Sequence, residues 1–169
     1  NKAGYSLDEV TDVFLTHLHF DHCGGGVKWQ DRDKSILEPV FKNAHYWSNK
    51  SHWDWAIHPN PREKASFLTE NLKPIEESGQ LKFVSRKQQI TKGVFKGIDV
   101  FFADGHTESQ MIPIINYKDQ KIVFTADLLP STGHIPLPYV MGYDTRPLTT
   151  LKEKSEFLSL AQEENWILY

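Results

Sequence analysis

Six consecutive residues, His17-Leu18-His19-Phe20-Asp21-His22, constrain this chain more than any other feature of it. Four of the six are potential metal ligands. His17 and His19 are two apart, and alternate side chains of extended backbone point the same way, so this pair can serve one point in space. Asp21 and His22 follow at once, where a turn can aim them at a second point. Residues 10–16 (VTDVFLT) precede the cluster and read as a buried β-branched and aromatic strand. Gly24-Gly25-Gly26 follows it, where the backbone must turn tightly or approach another group closely. The bland alternative is a histidine-rich surface loop that picks up stray metal. The placement between a buried strand and a glycine turn argues against it. Imidazole and carboxylate together suit zinc, with iron, manganese or cobalt as alternatives.

The rest of the chain alternates helical and extended patterns, which predicts one α/β domain over residues 1–169. Residues 44–47 read as a strand, and Ser48 as the N-cap of a helix to about Ile57. Pro61 fits the first turn of a second helix, where Ala65, Leu68, Leu72 and Ile75 form one apolar face. Together these make a helical insert at about 48–79, closed by Gly79. Strands are predicted at 81–84, 98–103, 111–117 and 121–126, with a hairpin turn at Asp119-Gln120. Pro113 marks its strand as an edge or a bulge. Pro147 starts a last helix with Leu148, Leu151, Leu158 and Ala161 on one side, and residues 166–169 read as a strand. The chain begins with Asn1 and stops within that strand, which leads us to expect a fragment without its N-terminal strands and C-terminal end.

Two further residues sit where strands end. His106, in Asp104-Gly105-His106-Thr107-Glu108, follows the strand at 98–103, and loops at strand ends are where site residues concentrate. Asp127 ends the apolar run 121–126. A buried carboxylate needs a partner, so Asp127 either bridges metals or caps the next turn. Asp104 or Glu108 could orient the histidines from behind. His134, in a Pro/Gly-rich loop, is a candidate to hydrogen-bond a substrate carbonyl, or a loop-packing residue. Trp47, Trp53, Trp55, Tyr139 and Tyr143 are candidates for a substrate groove, or ordinary core.

A formal charge of −3 gives no basic face for nucleic acid. One cysteine, Cys23, cannot form an internal disulfide. No apolar run is long enough to span a bilayer. We therefore expect a small-molecule substrate, no nucleic acid and no membrane partner, with a cytoplasmic location slightly favoured.

The H-x-H-x-D-H cluster, the later Gly105-His106-Thr107 and the strand-end Asp127, in this order, resemble the metallo-β-lactamase superfamily. The resemblance covers nearly all of the chain from Val10 onward. It implies an αββα sandwich with a dinuclear site on one rim. His17, His19 and His106 match the first metal's ligands, Asp21 and His22 the second's, and Asp127 the bridge, with two Zn2+ as the cofactor. The family's last ligand histidine is expected beyond Tyr169. His58-Pro59-Asn60-Pro61-Arg62 and the segment from Asp127 to His134 resemble the quorum-quenching lactonase and methyl parathion hydrolase branch, which often dimerises. That branch implies opening of lactone rings, N-acyl homoserine lactones among them, by attack of a metal-bridging hydroxide, with Asp21 passing a proton to the leaving group. Pro130 stands where the best-studied acyl-homoserine lactonases carry a tyrosine, so the electrophilic helper differs or the substrate does. The alternatives are a phosphotriesterase or arylesterase, a glyoxalase II-like thioesterase, and a metal-binding redox module.

Overall fold

Branched and aromatic residues do build a strand ahead of the histidine cluster, but a short one. In the computed structural model, which describes residues 4–31, 33 and 35–169, β1 is Asp12–Phe14. The chain then divides its structure between two units, Asn1–Ser85 and Arg86–Tyr169.

In the first unit β1 leads through extended residues to a single helical turn, α1 (Phe20–Cys23). An antiparallel ribbon of β2 (Val27–Trp29) and β3 (Leu37–Pro39) follows. β4 (His45–Ser48) pairs in parallel with β1. Helices α2 (Lys50–Ile57) and α3 (Thr69–Glu77) then cross over to β5 (Leu81–Phe83), which pairs in parallel with β4. Leu15, Leu18, Tyr46, Trp53, Phe67 and Ile75 form the core of this unit.

Two helix starts differ from the sequence reading. Ser48 is the last residue of β4, and the N-cap of α2 is Asn49, whose side chain accepts from His52 N at 2.9 Å. Pro61 does not open a helix. Asn60 Oδ1 accepts from Arg62 N (2.9 Å) and Glu63 N (3.2 Å), and this side-chain turn diverts the backbone, so α3 begins only at Thr69.

The second unit is a five-stranded sheet in the order β10-β9-β8-β7-β6. Its members are β6 (Ile90–Phe95), β7 (Ile98–Ala103), β8 (Gln110–Tyr117), β9 (Gln120–Val123) and β10 (Ile167–Leu168), with the long helix α4 (Pro147–Glu163) between the last two. Pairing is antiparallel except for β9 with β10. Phe101, Ile112, Ile114, Val123, Phe157 and Trp166 pack as its core.

β6 is absent from the sequence reading. Its pattern is broken by Gly93, whose φ of +63° sits at a register shift between Thr91 and Phe95. β8 is interior, not an edge. Pro113 is tolerated because β9 pairs only Ile114 to Tyr117, which leaves Pro113 beyond the end of its partner. In α4 the buried face is Thr150, Glu153, Lys154, Phe157 and Ala161, while Leu148 is exposed. Periodicity of apolar residues misreads this helix because two of its buried positions are charged. Among the described residues, no helix is long and apolar enough to cross a membrane.

Candidate metal centre

The spacing of the first motif does what extended backbone predicts. The His17 and His19 rings lie 4.8 Å apart, centroid to centroid. His19 is the N-cap of α1, at φ −62° and ψ 147°, and α1 turns the chain so that the His22 ring comes to 4.0 Å from His17. A ring nitrogen of His17 is within 4.8 Å of one on His19 and of one on His22. His17 and His19 are buried and His22 is half-buried. Asp21, on the same turn, is mostly exposed, with Oδ2 3.6 Å from His22 Nε2.

The neighbours of each ring show which nitrogen can serve a cation. Thr16 Oγ1 lies 3.2 Å from His17 Nδ1, so His17 presents Nε2. Glu63 Oε1 lies 3.4 Å from His19 Nε2. Glu63 is itself buried and accepts from Trp55 Nε1 (2.7 Å) and Asn60 Nδ2 (2.6 Å). Neutral imidazole nitrogens, each oriented by a partner on the opposite nitrogen, are the donors zinc takes. The Cys23 thiol is engaged with the backbone: it donates to Leu18 O at 3.3 Å, and burial pushes it up to about 12.

In the second unit His106 is buried and its two nitrogens face two carboxylates. Nδ1 is 3.0 Å from Asp144 Oδ1, and Nε2 is 3.3 Å from Asp127 Oδ2. Asp127 does not end the strand directly. β9 stops at Val123, and a one-turn 3-10 helix, Ala126–Leu128, carries the half-buried Asp127. Ala126 enters that turn at φ +44°, a left-handed value uncommon outside glycine. Asp144 is the buried partner of His106. Asp104 instead binds Arg86, and Glu108 binds Arg146. His52, Glu63 and Asp144 were not nominated from the sequence. Each acts across 34 or more residues or, for Glu63, from an irregular turn, so no local pattern marks them.

The loop bearing His106 is clamped by α4. Buried Glu153 accepts from Asp104 N (2.7 Å) and Gly105 N (3.0 Å). Burial outweighs these two bonds and pushes its carboxyl up to about 6, from an ordinary 4.5. The folded chain thus holds this proton more tightly than the unfolded chain. The resulting stabilisation is complete below pH 4.5 and is lost as pH rises through about 6. We expect this group to lower stability by about 2 kcal/mol across that window. Urea unfolding at pH 4.5 and 7.5 checks it: the step should vanish in Glu153→Gln, and an unchanged step would assign it elsewhere.

The softer candidates scatter. His134 ends a 3-10 turn, half-buried, with Nδ1 2.9 Å from Ser131 Oγ. Trp47 donates to Asp12 Oδ1 at 2.7 Å and so ties β4 to β1. Trp53 is buried and lines a cavity of about 470 Å³ between α2 and α3, with Ile57, Phe67 and Leu72 among its walls and Lys64 and Lys73 beside them. Tyr139 and Tyr143 are exposed, and the Tyr139 carbonyl accepts from buried Lys154 at 2.8 Å.

The family model of the metallo-beta-lactamase superfamily matches residues 1–169. The chain belongs to the metallo-β-lactamase superfamily. Solved members share its fold. A structure from Staphylococcus aureus, described as a probable metal-dependent hydrolase, superposes with a TM-score of 0.84 at 23% identity, over 99% of this chain and 56% of the other. AidC, a dizinc quorum-quenching lactonase in complex with a product, gives 0.79 at 25% identity, over 99% and 59%. An N-acyl homoserine lactone hydrolase with the product N-hexanoyl-L-homoserine at its catalytic metal centre gives 0.72 at 18%, over 99% and 58%. The superfamily member described here therefore spans somewhat over half the length of these structures. No curated protein matches it in sequence.

Proposed function

We propose that this chain is part of a metal-dependent hydrolase that opens lactone rings of the N-acyl homoserine lactone type at a dinuclear zinc centre. His17, His19, Asp21, His22, His106 and Asp127 would supply the ligands, within one domain carrying a helical insert at about 48–79. The observation that carries the reading is the convergence of three histidine rings from one six-residue segment, His17 with His19 at 4.8 Å and with His22 at 4.0 Å. Its support from likeness is the dizinc lactonase at 25% identity. Bound zinc supplies Lewis-acid polarisation of a carbonyl and makes water nucleophilic at neutral pH.

This chain's own residues would do the rest. Thr16 and Asp144 would hold the His17 and His106 rings, with Glu63 beside His19. Asp21 is exposed enough to take the proton given up by the attacking water and pass it to the departing alkoxide. His134 is oriented by Ser131 to donate to a substrate oxygen from Nε2. The apolar walls of the cavity beside Trp53 suit a hydrocarbon arm.

The test is zinc content by elemental analysis, with ring opening of a long-chain acyl-homoserine lactone followed in parallel. About two zinc ions per chain are expected, with hydrolysis lost on chelation and restored by zinc. Metal without ring opening would transfer the activity to phosphotriesters or thioesters. Absence of stoichiometric metal would overturn the proposal.

A further inference from the structure

The backbone linking His17 to His19 is held by side chains, not by a strand. β1 has ended at Phe14, and Leu18 is fully buried. Its N–H belongs to the peptide that joins it to His17, and its C=O to the peptide that joins it to His19. The N–H donates to His52 Nε2 at 2.8 Å, and the C=O accepts from Cys23 Sγ at 3.3 Å. His52 is buried on the first turn of α2, and its ring stands edge-on to Phe67 at 5.9 Å and to His17 at 6.4 Å. The N-cap Asn49 accepts from the His52 amide, so the same short segment that starts the helix also fixes this residue.

An acceptor for a backbone N–H must present a lone pair, so the proton of neutral His52 sits on Nδ1. This is a different use of histidine from that of its neighbours. The imidazole gives its Nε2 lone pair to a peptide N–H. A buried N–H left without an acceptor would be expensive, and the cheapest relief is rotation of that peptide. Rotation of the His17–Leu18 peptide would swing the two rings out of their edge-on approach.

We propose that His52 is a positioning residue for metal binding: through Leu18 N–H it fixes the His17–His19 backbone from helix α2. The proposal rests on the reading of His17 and His19 as ligands. It goes beyond that reading by assigning control of the pair to a helix of the insert.

The experiment compares zinc affinity, by competition with a chromophoric chelator, in wild type, His52→Phe and His52→Gln. Phe keeps an aromatic ring, somewhat larger than imidazole, and removes the acceptor. Gln restores an amide oxygen close to the position of Nε2. Affinity should fall about 10–100-fold in His52→Phe and return to within about threefold of wild type in His52→Gln. The Leu18 amide resonance of the metal-free protein supplies a second readout. It should move upfield and exchange faster in His52→Phe, and resemble wild type in His52→Gln. Unchanged affinity in His52→Phe, or no recovery in His52→Gln while both variants remain folded, would overturn the proposal. Failure of wild type to bind zinc would instead sink the ligand reading, and the amide resonance would still report whether His52 holds Leu18.

Discussion

Gly105→Ala should lower the melting temperature by roughly 6–12 °C, the largest stability loss expected of any glycine-to-alanine change in this chain. A Cβ at Gly105 would lie 2.3 Å from Thr150 Oγ1, 2.4 Å from Thr150 N and 2.6 Å from Thr150 Cα. The hydroxyl could rotate away, but the other two atoms are backbone of α4. That helix cannot retreat cheaply. Arg146 N donates to Gly105 O at 2.9 Å, and Thr145 N to His106 O at 3.1 Å. Glu153, one turn further along α4, accepts from the amides of Asp104 and Gly105. Relief of the overlap must therefore break several of these bonds together, at a cost of about 3 kcal/mol or more. Gly25→Ala is the matched control, since a Cβ there meets nothing within 4 Å. Thermal unfolding followed by circular dichroism decides the matter. Equal melting temperatures for the two variants would show that α4 does not press on the His106 loop as described.

This explains why so short a motif as Asp-Gly-His carries information. The aspartate anchors Arg86 and the glycine admits the helix, so the histidine is delivered on a loop with little freedom. The convergence of the histidine cluster was legible because it is local: three rings and a carboxylate in six residues, extended backbone, then a turn. Ile98–Ala103 was legible too, with the same bounds in sequence and structure, because it is an almost unbroken run of strand formers. What stayed hidden was set by tertiary contact. β6 contains a glycine bulge that erases its alternation. The start of α3 is displaced by a side-chain turn at Asn60. The buried face of α4 carries Glu153 and Lys154 because each satisfies backbone groups of a loop, at Asp104 and Gly105 for one and at Pro136, Leu137 and Tyr139 for the other. A reading that equates buried with apolar passes over both. The same holds for His52 and Asp144, whose partners lie 34 and 38 residues away.

Asp144 carries the second large expectation. It is 2% exposed, and its Oδ1 takes Nδ1 of an equally buried histidine at 3.0 Å. Two consequences follow from that geometry. The carboxylate fixes the His106 tautomer with the proton on Nδ1, which leaves the Nε2 lone pair facing Asp127. It also places a negative charge directly behind the ring, the arrangement that carboxylates behind metal-binding histidines provide. Asp144→Ala removes both and leaves a buried N–H facing a void, so folding stability should fall by about 2–4 kcal/mol, the cost of an unpaired buried donor together with the space left behind. Asp144→Asn separates the two roles. The amide fills the same space and can accept from Nδ1–H through its oxygen, but without charge. Stability should then fall by only about 1–2 kcal/mol, while zinc affinity still drops about 10–100-fold. Chelator competition and urea unfolding on the same preparations measure the two quantities separately. If Asp144→Asn loses stability and affinity in proportion, the carboxylate is a structural group alone. If affinity falls with stability nearly intact, its charge acts on the histidine, and the loop, the helix that clamps it and the carboxylate at the helix entrance form one device for presenting a single nitrogen.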